Sequence, residues 1–227
     1  MSAPLDGGCT PRRRELLCWA AILGAVTAEA LSAARDVSIG SARSSLAAAE
    51  RDAQMRAWRL LRGEPALYTV TARGLRAAGI VGLAPARPGP AGARHAGACS
   101  AAAVSLAAAF PHWRVLGEPA VRRSERAGGA PLARIGVAGA ANARAHRPDL
   151  LLVPPRPAPR LPVAVEVELT VKAPERLTAV CLAWARSRAV GGALYLAAPE
   201  VLAPLSRAIA RAGAGERVLA LSLDALR

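Results

Sequence analysis

The sequence predicts a two-domain protein of mixed class: an α+β unit over residues 12–82 and an α/β unit with a mixed sheet over residues 98–227, joined by a linker at 83–97. Three observations carry that prediction. Helical apolar spacing runs to Asp52 and then gives way to two short strand-like runs. The stretch APARPGPAGARHAG (84–97) is rich in Pro and Gly and has no apolar period. Beyond it, strand-like and helical runs alternate, which requires some parallel pairing. A chain of 227 residues can bury one good core or two small ones.

The first helix is predicted over Arg13–Gly24, with Leu16, Trp19, Leu23 and Val26 at helical spacing. The same stretch, a basic head before an apolar run from Leu16 to Val26, imitates a secretory signal. The run is too short to span a bilayer, and its period favours a core helix. Thr27 reads as the N-cap of a second helix, AEALSAARD, with Glu29 in its first turn. A third helix follows over Ser41–Asp52, with Leu46 and Ala49 facing inward. MRAWRLL and ALYTV read as strands joined by a turn at Arg62-Gly63-Glu64-Pro65. Thr71 then caps ARGLRAAG, a helix closing at Gly79.

After the linker, ACSAAAVSLAAAF predicts a helix and HWRVL a strand. The arginine-rich segment from Arg122 to Ala145 has no periodic pattern. DLLLV and VAVEVELT are strands connected by PPRPAPRLP, and PERLTAVCLAWARSRAV is a helix leading to the strand ALYLAA. A helix over Glu200–Gly213 and a strand RVLALSL complete an α-β-β-β-α-β order with an added α-β.

The stretch VAVEVELTVK (163–172) concentrates chemistry. On a strand, Val163, Val165, Val167, Leu169 and Val171 share one face, and Glu166, Glu168, Thr170 and Lys172 the other. Glu166 and Glu168 then stand about 7 Å apart and point the same way. Like charges so placed repel unless a cation lies beside them. Asp149, after His146-Arg147-Pro148, opens the preceding strand, so an antiparallel hairpin would bring it toward the glutamates. Three such carboxylates suit Mg²⁺ or Mn²⁺. Alternating acids are also what a half-solvated strand carries, and a Glu beside a Lys is ordinary there. Lys172 is the single lysine among 30 basic residues.

Formal net charge is +14, which points to a polyanionic partner. Residues 1–80 hold 11 Arg against 7 acids and the remainder 19 basic residues against 9, so both domains are basic. Cys9, Cys18, Cys99 and Cys181 form no CxxC pair and read as free thiols of a cytoplasmic protein. His95, His112 and His146 are not spaced to build a zinc site with them. The expected partner is DNA and not a membrane, with a homodimer if both strands are to be cut.

Three helices and a two-stranded ribbon resemble the winged helix-turn-helix domain, and YTVTARGLRAAG looks like its return strand and following helix. That resemblance puts Arg43, Ser44 and Arg51 on the exposed side of a groove-entering third helix, and Arg59 and Arg62 on the wing. Pro148-Asp149, then Glu166-x-Glu168 on the next strand with a helix after it, is similar to the PD-(D/E)XK nuclease superfamily, a restriction-endonuclease-like fold with an αβββαβ core. HRPDLLL…VAVEVELTVKAPERL after a winged helix resembles the bacterial replication-relaxation family of plasmids and other mobile elements.

The resemblance implies that Asp149 and Glu166 hold a metal ion, with Glu168 as a further ligand or general base. The superfamily's usual lysine position is Glu168 here, and Lys172 is the alternative donor to water or phosphate. Glu118 is either a fourth acid or a surface residue. Arg147, Arg156, Arg160 and Arg176 would grip the DNA backbone. The function so implied is metal-dependent phosphodiester hydrolysis on DNA; the alternative is a DNA-binding replication or transcription regulator whose nuclease fold no longer cuts.

Overall fold

A computed structural model describes residues 9–127, 133–137, 146–155 and 160–226. The chain divides into two compact units, Met1–Ala101 and Ala102–Arg227.

In the first unit, α1 (Pro11–Leu23) starts where Thr10 Oγ1 accepts from the Arg13 N–H and Pro11 fits the first turn. The stretch that imitates a signal is therefore a core helix, with Leu16, Leu17 and Ala20 buried. Thr27 caps α2 (Ala28–Arg35) as expected, and Asp36 ends it in the left-handed region. The third helix, α3 (Ile39–Arg51), begins earlier than the sequence suggests because Ser38 supplies the cap. Its inward residues are Ala42, Leu46 and Ala49. Strands β1 (Met55–Trp58) and β2 (Leu67–Val70) pair antiparallel, with Gly63 at φ +79° in the connection. Thr71 caps α4 (Ala72–Ala77) by accepting from the Gly74 N–H. Leu16, Leu31, Leu46, Met55, Tyr68 and Leu75 belong to one core.

The segment read as a linker to residue 97 is helical in part. A short 3₁₀ turn at Pro90–Gly92 leads into α5 (Ala93–Ala109), whose first residues lie inside that segment. Alanine outweighs Gly97 in helix propensity, and Pro90 suits a helical start. The division between the two units falls within α5.

The second unit is built on a five-stranded mixed sheet in the order β3 (Arg114–Gly117), β4 (Leu150–Val153), β5 (Val163–Glu168), β6 (Gly192–Ala197), β7 (Val218–Ser222). The first two pairings are antiparallel and the last two parallel, so the mixed α/β class stands. Helices α7 (Pro174–Arg186) and α8 (Pro199–Arg211) make the parallel crossovers. An unforeseen helix, α6 (Glu118–Arg126), is inserted between β3 and β4. Its arginines disguise the period, since only Ala120 and Val121 are buried. Ile135 and His146 then exchange backbone hydrogen bonds of 3.0 and 2.8 Å just before β4.

Among the described residues no helix is long and apolar enough to cross a membrane.

Candidate functional site

Strand register places the acids. Leu150 pairs with Val165, so Asp149 stands one step beyond, across from Glu166. Its Oδ2 accepts from the Val167 N–H at 2.8 Å, which extends the ladder past the end of β4. Glu166 and Glu168 point to the same face of β5 and are only 6% and 5% exposed. This face is covered rather than half-solvated. Strand β5 stops at Glu168, which corrects the continuous strand face that would have carried Thr170 and Lys172. In a continued strand, four residues would separate Lys172 from Glu168 by about 13 Å. The chain bends instead, and Lys172 Nζ pairs with Glu168 Oε2 while remaining 42% exposed.

Glu166 has two partners. His146 Nε2 lies 2.6 Å from its Oε1, and the Trp184 indole N–H of α7 donates to the same oxygen at 2.9 Å. The bridge to Ile135 fixes the His146 backbone, and the His146 ring meets Trp184 edge-on, with centroids 5.9 Å apart. Burial pushes the Glu166 carboxyl above its ordinary range, against the pull of His146. For His146, burial works downward, but the hydrogen bond and charge of Glu166, with the charge of Asp149, outweigh it and hold the imidazole up. The pair thus keeps a proton to higher pH than its members would apart.

The site surrounds a cavity of about 20 Å³ with His146, Glu166, Glu168 and Tyr195 in its lining and Lys172 and Arg176 among its exposed members. Carboxylate oxygens are the donors a hard divalent cation takes, and the sequence-predicted acids fit that chemistry. His146 and Trp184 both use Oε1 of Glu166, and Lys172 uses Oε2 of Glu168, so each glutamate keeps its other oxygen uncommitted. As the chain stands, each acid answers to a donor of its own. Among the described residues, Asp149, Glu166 and Glu168 do not bring three oxygens within 4.8 Å of one another.

Other predicted residues fall as follows. Arg147 forks onto Glu125 Oε2 at 2.9 and 2.7 Å in a half-buried pair, so its guanidinium is held against α6. Glu118 sits in the first turn of α6 and pairs with Arg122 at 2.6 Å, the surface reading of that residue. Arg160 and Arg176 are exposed, and Arg156 lies outside the described residues. In the first unit Arg43, Ser44, Arg51, Arg59 and Arg62 are all exposed. Arg43 approaches Glu29 at 3.5 Å. Arg59 and Arg62 lie in the loop between β1 and β2, and Arg56 stacks 4.2 Å over Trp58.

Sequence reasoning gave no role to His146, Trp184 or Tyr195. The signal for His146 was its place three residues before Asp149; the other two required strand register and helix phase. It also discounted His95 as a partner for cysteine. On α5, one turn apart, His95 Nδ1 and Cys99 Sγ lie 3.6 Å from each other, within reach of one ion. All four cysteines are free.

No protein-family model, curated protein or solved structure matches the chain.

Proposed function

We propose that this chain is a DNA-binding protein of plasmid or mobile-element replication type that hydrolyses phosphodiesters with a divalent ion, Mg²⁺ or Mn²⁺. The observation that carries this reading is the pair of buried glutamates on one face of β5, reached by Asp149 from the neighbouring strand and by Lys172 from the bend beyond. Buried carboxylates are costly unless something cationic is built around them, and such clusters gather where chemistry is done. The element order, with α6 as an insertion, is compatible with the αβββαβ core of the nuclease resemblance. Three helices and a ribbon with exposed arginines support a winged-helix role for the first unit.

Asp149, Glu166 and Glu168 would hold the ion. Once bound, it supplies Lewis acidity, acidifying water and neutralising charge that builds on the phosphate. The chain's own residues do the rest. Lys172 and Arg176, at the exposed side of the cavity, bind the scissile phosphate, and Arg176 favours a bidentate grip. Glu168 takes the proton of the attacking water once Lys172 turns from it to the phosphate. Arg43, Ser44, Arg51, Arg59 and Arg62 place the duplex.

A second reading has an observation of its own. Each carboxylate already has a protein donor, and the three are not drawn together. A regulator that grips DNA with a silent nuclease-like core would look like this. Cleavage of plasmid DNA with Mg²⁺ or Mn²⁺ separates the two, run on wild type beside Asp149→Ala and Glu166→Ala. Cutting by the wild type alone is the expected result. A wild type that binds DNA yet never cuts with either ion leaves the regulator reading standing.

A further inference from the structure

Tyr195 lies in β6 directly across from Glu166 in the parallel register, and Ala197 lies across from Glu168. The phenol is 2% exposed. Among the described residues its hydroxyl has no hydrogen-bond partner. The Cys181 thiol of α7 is a neighbour, but not in bonding geometry. That thiol is pushed up to about 11 by burial, so it stays neutral and a weak acceptor at best. A buried hydroxyl left unpaired is disfavoured, and native proteins satisfy such groups with ordered water when space and polar neighbours allow. Both are present. The cavity that Tyr195 lines holds about 20 Å³, and roughly 10–15 Å³ admits one water. Ala197 is too small to fill the space before Glu168.

We propose that Tyr195 is a positioning residue of the acidic site: its hydroxyl holds one water in this cavity against the uncommitted oxygens of Glu166 and Glu168. The inference rests on the metal-site reading above. The water keeps the two carboxylates oriented toward the cavity, so that they meet an incoming ion without first reorganising. Outer-shell partners of metal-ligating groups act in this way, and their loss weakens metal binding by about 10- to 100-fold. Glu166 and Glu168 would be the ion's ligands, and Tyr195 acts on it only through them.

Tyr195→Phe removes the hydroxyl and keeps the ring. The full-length protein and this variant are titrated with Mn²⁺ by calorimetry, without DNA, while circular dichroism and thermal melting confirm that both are folded. The expected result is a Kd for Mn²⁺ at least tenfold higher in Tyr195→Phe, with an unchanged fold, DNA affinity like that of the wild type, and in the wild-type crystal structure a water at hydrogen-bond distance from Tyr195 Oη. Equal Mn²⁺ affinities, or an empty cavity at high resolution, overturn the role of Tyr195 and leave the metal-site reading intact. A wild type that takes up no Mn²⁺ overturns both. Should Tyr195→Phe melt early, Glu168→Gln supplies the second measurement: the cavity water is then expected to lose its order while Tyr195 stays in place, and an unchanged water overturns the link between the two.

Discussion

At the scale of single residues, Glu166 decides how this protein responds to pH. Buried beneath Trp184 and bonded to His146, it titrates above its ordinary value of 4.5, and its charge holds His146 above 6.5. Both groups therefore keep protons in the folded chain that the unfolded chain has released. The folded state binds more protons, so stability falls as pH rises from about 4.5 through the raised value of His146. In chelator-containing buffer, urea midpoints of the wild type are expected to drop between mildly acidic and mildly basic pH. In Glu166→Gln the carboxyl no longer titrates and His146 loses its counter-charge, which leaves burial to push the imidazole down. The slope should flatten or reverse, and parallel slopes would count against the pair. None of this could be read from VAVEVELTVK alone. Alternation places Glu166 and Glu168 together, and the Pro-rich turn brings Asp149 near. The partners that tune Glu166 come from a loop and from α7, at positions set by packing rather than by local pattern.

At the scale of elements, the caps were the legible part. Thr27 and Thr71 each start a helix in the structure as their sequence positions imply, because a threonine hydroxyl satisfies an otherwise orphan N–H. Strand ends were less legible: MRAWRLL keeps its strand only to Trp58, and VAVEVELT only to Glu168. A β-branched run signals the strand but not the point where its neighbour stops pairing. The start of α4 also depends on a close approach that sequence cannot announce. A Cβ on Gly74 would lie 2.1 Å from the Gln54 carbonyl oxygen and 2.8 Å from Val70 Cγ1, and the first of these is backbone that cannot swing aside. Gly74→Ala should therefore force α4 away from β2 at a cost of about 2–3 kcal/mol or more, despite alanine's better helix propensity. Urea unfolding followed by the fluorescence of Trp19 and Trp58 measures it, and a stabilised variant would show that α4 does not pack this closely.

At the scale of the whole molecule, alternating strands and helices sufficed to foresee a mixed sheet, whereas the sequential strand order had to come from the structure. The absence of period in α6 hid an element that carries Glu125, the acid that holds Arg147. That pairing redistributes the expected DNA contacts: of the arginines assigned to the backbone, Arg147 is half-buried and engaged, while those of the first unit are exposed. With a net charge of +14, affinity for DNA should come chiefly from counterion release and fall steeply with salt. Each phosphate neutralised contributes about −0.9 to the slope of log affinity against log salt. Replacing Arg43, Arg51 and Arg62 together with alanine should then make the slope shallower by roughly 2.7 if each meets one phosphate. Arg147→Ala should leave the slope nearly unchanged and instead lower stability, because Glu125 would remain buried without its partner. Fluorescence anisotropy with a labelled duplex across a salt series reads both. A slope that moves with Arg147 and not with the triple variant would put the DNA on the second unit and make the first a bystander.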